Sequence, residues 1–339
     1  MDKESKIKGC LIAGALGDAL GYKVEFMTWN VIRMHYGEKG ITELPLTCGK
    51  AVFSDDTQMT LFTCEAMLST RRKSLNWYLQ QSYLNWLRTQ GVKRIKHSFF
   101  KKEKVEAPPE LDSSLAKIPE MNVLRAPGNT CISALCDGGT GTTSRPVNDS
   151  KGCGGVMRVA PLGFTNKWGT PALRAAEAAA ITHGHPLGWM PAGMLADIIY
   201  RICHSEKSLE EIIRDSLKTT ANRWPGRDIY TLTALVNKAI RFSKSDMADV
   251  EAIHQLGGGW VAEEALAIAI YSVLKHQDNI KDALICAVNH SGDSDSTGAI
   301  AGNILGAYLG YEVIPKDWEE NLELKEVILG MAKNLARIL

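Results

Sequence analysis

The sequence predicts an all-α protein, a compact orthogonal bundle of about a dozen helices. Three observations predict it. Apolar residues recur at three- and four-residue steps along most of the chain. Alternating strand patterns of useful length are nearly absent. Regular β-α-β alternation is missing, which argues against a parallel sheet with crossover helices. In chain order, residues 6–21 read as a buried helix rich in Ala, Leu and Gly. Residues 27–54 contain Gly37, Gly40, Pro45 and Gly49 and read as a long loop. Stretches 56–70 and 75–89 are amphipathic helices. Residues 91–124 run through Lys93, Arg94, Lys96, Lys101, Lys102 and Lys104, then Pro108, Pro109 and Pro119. They read as a surface excursion, either a solvated charged face or a loop that contacts a partner or substrate. Phe99-Phe100 within the basic run keeps the second reading open. Helical spacing resumes at 171–182, 190–204, 208–219 and 229–242 and continues at 260–275, 279–290, 296–309 and 323–338. With no internal repeat and no low-complexity linker, residues 1–339 read as a single domain.

The 339 residues are 45% hydrophobic and 23% charged, ordinary for a globular chain. The formal net charge is +1, so no whole-chain field favours nucleic acid or an anionic membrane, and neither is expected as a partner. Eight cysteines stand at positions 10, 48, 64, 131, 136, 153, 203 and 286 with no C-x-x-C pair. They read as reduced thiols, which implies a cytoplasmic location. The apolar run Cys10 to Leu20 is short and contains Asp18, so it is neither a signal peptide nor a membrane span.

Chemistry concentrates in two acidic segments far apart in sequence. Ser54-Asp55-Asp56-Thr57 stands directly before a helical pattern, where Ser and Asp are also ordinary helix caps. Asp293-Ser294-Asp295-Ser296 stands before the small-residue helix that begins at Ala299. Two acids on alternate residues repel each other unless a cation or protons compensate. Capping uses one of them and leaves the other unexplained. An EF-hand loop is rejected, because its twelfth position should be Glu and is Ile304. The D-x-D-x-T motif of haloacid-dehalogenase phosphatases follows a buried strand, whereas Ala283 to His290 looks helical; that reading remains a weak alternative. The third reading is a two-part metal site. Hard oxygens from Asp and Ser suit Mg2+, Mn2+ or Ca2+, and several carboxylates around one ion would leave excess charge, so two ions are expected.

With its companion motifs, the sequence resembles the ADP-ribosylglycohydrolases, in particular the ADP-ribosylarginine hydrolase type. The motifs are Gly14-Ala15-Leu16-Gly17-Asp18-Ala19-Leu20-Gly21 followed by Glu25, then Ser54-Asp55-Asp56-Thr57 and Pro127-Gly128-Asn129-Thr130. After them come Gly152-Cys153-Gly154-Gly155-Val156-Met157-Arg158, Thr182-His183, Gly257-Gly258-Gly259-Trp260-Val261 and Gly292-Asp293-Ser294-Asp295-Ser296. Seven motifs in family order cover nearly the whole chain. The resemblance implies an all-α fold with a binuclear Mg2+ (or Mn2+) cleft, and hydrolysis of the bond between ADP-ribose C1″ and a protein side chain, most readily arginine. It implies metal ligation by Ser54, Asp55 and Asp56 from one side and by Asp293, Asp295 and Ser296 from the other. Asp56, then Asp55, would orient the attacking water or take its proton, and Glu25 would stand beside the metals and gate entry. Gly152, Cys153, Gly154, Gly155, His183 and Trp260 would face the ADP-ribose, the glycines through backbone N–H groups near the diphosphate. Arg158 reads as a phosphate partner or a buried ion-pair member. Cys153 stands where the family often has Asn. The implied partners are an ADP-ribosylated protein and a cognate ADP-ribosyltransferase, whose toxic modification this protein would reverse. The rival reading is a catalytically weak relative that binds ADP-ribose or the toxin.

Overall fold

A computed structural model describes residues 2–92 and 112–339. Among them run fifteen α-helices, five 3-10 turns and one two-stranded antiparallel hairpin, which bears out the all-α expectation. In order these are α1 (Lys3–Tyr22), α2 (Trp29–Tyr36), β1 (Leu46–Thr47), β2 (Lys50–Ala51), α3 (Asp55–Ser69), α4 (Leu75–Thr89) and α5 (Asn129–Cys136). Then follow α6 (Pro171–Ala180), α7 (Pro186–His204), α8 (Leu209–Arg223), α9 (Arg227–Ser243), α10 (Asp249–Leu256), α11 (Ala262–Lys275) and α12 (Ile280–Val288). The chain ends with α13 (Ser294–Leu309), α14 (Lys316–Asn321) and α15 (Lys325–Ile338). One apolar cluster takes in side chains from Ile7 in α1 to Leu335 in α15. No described helix is long and apolar enough to cross a membrane.

The helix of 6–21 packs antiparallel against that of 296–309, and small residues are the reason. A Cβ on Gly17 would lie 2.1 Å from the Gly298 carbonyl oxygen, and one on Gly302 would lie 2.0 Å from the Ala13 carbonyl oxygen. The backbones of α1 and α13 touch, closer than side-chain ridges normally allow. That contact carries the end of α1, with Asp18, against the start of α13, with Asp293 and Asp295.

Two sequence expectations need correction. Residues 27–54 are not one loop: Thr28 caps α2 through its side chain, and Gly40 and Gly49 adopt the positive φ that turns out of α2 and across the β1–β2 hairpin require. The surface excursion at 91–124 is partly core. Its 93–111 portion, with the basic run and Phe99-Phe100, lies outside the described residues. Its last part is pinned to α3, where Glu65 accepts from Ser113 Oγ at 2.7 Å and from the Leu115 N–H at 3.2 Å, and Leu115 and Met121 are fully buried.

Candidate active site

Ser54 is the N-cap of α3, and its hydroxyl accepts from the Asp56 N–H at 3.2 Å. The turn is held from α1. Asp18 accepts from the Ser54 N–H at 2.8 Å and the Thr57 N–H at 2.9 Å, and the Thr57 hydroxyl also donates to it. Asp18 is fully buried. In the sequence it stands as a charge interrupting an apolar run and as a member of the first motif, with no role assigned; an acid inside a small-residue helix is itself the signal that it needs buried donors.

The second acidic segment is built the same way. Asp293 caps α13 by accepting from the Ser296 N–H at 3.2 Å, and its own N–H donates to the Gly258 carbonyl at 2.8 Å. Asp295 accepts from the Ser296 N–H at 2.9 Å. The chain reaches this segment from helix α12, so no strand precedes it, unlike the phosphatase motif.

The two segments meet across a cleft of about 330 Å3 lined by Glu25, Asp55, Asp56, Asp293, Asp295 and Ser296 on its acidic side. Among the described residues, no lysine or arginine lines it. Ser54 lies behind this lining, fully buried. Burial, then the charge of Asp295, pushes the Asp18 carboxyl up to about 7. Burial pushes Asp55, Asp56 and Asp295 well above the ordinary carboxylate range, with neighbouring carboxylates adding to the effect, and raises Asp293. Half-buried Glu25 is pushed up to about 10 by burial, then by Asp295, Asp293 and Asp55. Asp56 Oδ2 is buried with no hydrogen-bond partner among the described residues. Crowded carboxylates, an orphaned carboxyl oxygen and no cationic side chain are the donor chemistry of a hard divalent-cation site, so the residues present fit Mg2+ or Mn2+. Larger hollows elsewhere, of about 720 and 760 Å3, carry two acids and one acid and none of this crowding.

The opposite wall holds the other expected residues. Gly152, Cys153, Gly154, His183 and Trp260 line the cleft, while Gly155 lies behind it against His183. The N–H groups of Gly152 and Cys153 donate to Ser150 Oγ and the Trp260 carbonyl, so neither is bare. Cys153 Sγ donates to Asp293 Oδ2 at 2.8 Å, placing a thiol against the acidic side. Trp260 is not core: it is 42% exposed and stacks on Phe26 at 5.1 Å between ring centroids. Phe26 has φ of +64° and Ala126 +53°, two left-handed non-glycine residues at the cleft. Such strain concentrates where a site demands it.

His183 is buried, and burial followed by the Arg158 charge pushes it down to about 3, so its imidazole is neutral. Arg158 neither lines the cleft nor pairs with a carboxylate. It is fully buried over the Tyr83 ring at 4.2 Å and donates to Thr182 Oγ1 at 2.7 Å. Thr182 Oγ1 lies 2.8 Å from His183 Nδ1 and 3.4 Å from the Ala179 carbonyl, which already accepts two N–H groups. The threonine hydrogen therefore goes to Nδ1, which makes Nε2–H the donor on the cleft side, next to Gly152 and Gly154.

The profile of the ADP-ribosylglycohydrolase family matches residues 1–339. ADP-ribosylhydrolase ARH3 of Gallus gallus is 27% identical, over 55% of this chain and 57% of that protein. ADP-ribosylarginine hydrolase Tri1 of Serratia proteamaculans is 24% identical, over 97% of this chain and 78% of that protein. Among solved structures, an ADP-ribosylglycohydrolase-related protein complex shares the fold with a TM-score of 0.61 at 21% identity, covering 99% of this chain and 98% of the other.

Proposed function

The chain belongs to the ADP-ribosylglycohydrolase family, which hydrolyses ADP-ribose from modified substrates, and on that premise we propose that it cleaves the N-glycosidic bond between ADP-ribose and protein arginine. The observation that carries the reading is the cleft lined by five carboxyl groups with no lysine or arginine beside them among the described residues. In this reading Ser54, Asp55, Asp56, Asp293, Asp295 and Ser296 hold two Mg2+ or Mn2+ ions. When bound, such ions neutralise the carboxylates and supply Lewis acidity for activating water.

The chain's own groups divide the remaining work. Asp56, whose Oδ2 has no hydrogen-bond partner among the described residues, orients the attacking water, with Asp55 as the second candidate. Water oxygen joins C1″, the C1″–N bond breaks, and the guanidine nitrogen takes a proton. Glu25 lines the same cleft, where an acid suits a basic guanidine acceptor. His183 Nε2–H and the turn at Gly154 face the same space and suit diphosphate oxygens. Gly155 supports His183 from behind, and Cys153 sits between the two walls. Trp260, with Phe26, forms an aromatic rim suited to a flat base or ribose face.

The arginine assignment is supported by the acidic lining of the cleft and by the name of the Serratia relative. The expected contact with a cognate transferase falls on the basic run, outside the described residues. The test offers arginine-ADP-ribosylated protein and serine-ADP-ribosylated protein to the chain with Mg2+, with EDTA, and as Asp293→Ala. Free ADP-ribose from the arginine substrate alone, lost in EDTA and in the variant, is the expected result. No release from either substrate with Mg2+ refutes the hydrolase reading, and release from serine alone refutes the acceptor.

A further inference from the structure

On the side of the bundle formed by α10, α11 and α12, the ligand atoms of Asp249, His276 and Cys286 all lie within 4.8 Å of one another. Asp249 opens α10, His276 caps the end of α11, and Cys286 lies in α12. The three chemistries, one carboxylate oxygen, one imidazole nitrogen and one sulfur, differ from the all-oxygen set of the acidic cleft. A hard ion such as Mg2+ has no use for imidazole and sulfur, whereas a borderline ion of the zinc type takes all three.

The geometry suits such an ion. Tetrahedral zinc, with bonds of about 2.0–2.3 Å, sets its ligand atoms about 3.3–3.6 Å apart. Asp249 Oδ2 and His276 Nε2 are 3.0 Å apart, a few tenths of an ångström under that spacing, and the Cys286 sulfur lies within 4.8 Å of both, so the first pair parts slightly and the thiol closes on the ion. The other carboxylate oxygen, Oδ1, accepts from Tyr271 Oη at 2.6 Å, which fixes the carboxyl and leaves Oδ2 facing the pair. Such outer hydrogen bonds orient metal ligands. Cys286 is buried, while the Asp249 and His276 side chains are 34% and 27% exposed, which gives an entry path and a solvent-side fourth position for water.

We propose that Asp249, His276 and Cys286 form a mononuclear site for a zinc-type divalent cation, separate from the acidic cleft. The ion replaces the thiol hydrogen of Cys286, which leaves to solvent, and His276 binds through Nε2 as the neutral imidazole, its hydrogen on Nδ1. Its place in the fold gives it a structural role. Helix α10 runs into the loop of Gly257, Gly258 and Trp260, and α12 runs into the turn of Asp293, so one ion clamps two of the chain segments that line the cleft. The proposal does not depend on the hydrolase reading.

The test uses the full chain, stripped of metal, saturated with Mg2+ to fill the acidic cleft, and titrated with Co2+ as a coloured stand-in for zinc. A thiolate-to-cobalt charge-transfer band that saturates at about one equivalent is expected. It should persist in Cys153→Ser, which removes the cleft thiol, and vanish in Cys286→Ser. His276→Gln, at a partly exposed position, provides a second variant should Cys286→Ser fail to fold; its Co2+ affinity should fall by about tenfold or more. No band in the unaltered chain, a band that follows Cys153 instead of Cys286, or unchanged affinity in His276→Gln overturns the proposal, an Asp249–His276 ion pair being then the whole of the cluster.

Discussion

Removing divalent cations should make the protein lose stability as pH rises, because the cleft crowds carboxyl groups that the folded chain must otherwise keep protonated. Asp18 allows the magnitude to be worked out. Its folded value is about 7, and an unfolded Asp ionises near about 3.9. Between those values the folded state binds the extra proton, so stability is greatest below the unfolded value and falls as pH climbs through the folded one. Roughly three pH units at about 1.4 kcal/mol each come to about 4 kcal/mol, of which about 3 kcal/mol falls between pH 5 and 8; this is the ceiling on what the cations relieve, since burial, the larger cause, acts in both samples. For 339 residues the unfolding entropy is about 0.7 kcal/mol/K, so that loss lowers Tm by about 4 °C. Glu25 shifts in the same direction but is half-exposed, so solvent screening discounts it. Surface acids with lowered values, such as Glu43 and Asp215, act equally in both samples. The assay is therefore the gap between melting temperatures in Mg2+ and in EDTA, followed from pH 5 to 8. The gap should widen with pH, and widen less in Asp18→Asn. Parallel curves in the two buffers would refute the electrostatic account of the cleft.

Two further outcomes follow from the packing around it. Gly298→Ala would push a Cβ to 2.3 Å from the Gly17 carbonyl oxygen, so it should cost about 1–3 kcal/mol or more and weaken Mg2+ stabilisation by parting α1 from α13; Gly330→Ala, with nothing within 4 Å, is the control, and equal melting temperatures for the two variants would contradict the contact. Thr182→Val should remove the proton donor to His183 Nδ1 and strip a buried acceptor from Arg158, costing about 1–3 kcal/mol, while Thr182→Ser retains both. Nitrogen-15 NMR of His183 checks it: the unaltered chain should carry its proton on Nε2, and an Nδ1-protonated ring there would refute the relay.

What the sequence made legible is what is encoded locally. Long helices carry enough turns for the 3.6 period to register, and α4 falls where its spacing predicts, at Leu75–Thr89. The short helices α2, α5, α10 and α14, six to eight residues each, offer too few turns, and all four escaped the reading. Ser54 and Asp293 announce themselves as caps because a cap is a local device, and the second acid beside each is legible as one more than capping uses. Non-local facts were harder. The small residues of α1 and α13 were visible, but that Gly17 meets Gly298 depends on two helices 281 residues apart choosing each other, which no spacing within either reveals. Arg158 illustrates the same limit from the other side. Its charge suggests a phosphate or an acid, yet it is held by the Tyr83 ring of α4 and by a carbonyl and a threonine at the end of α6, Ala178 and Thr182. The Asp249–His276–Cys286 cluster likewise has no local spacing to announce it. The acidic cleft is therefore a locally written pair of helix starts joined by a non-local backbone contact. The contact between α1 and α13, and Asp18 reaching across from it, set the distance between the two halves as firmly as any ligand does.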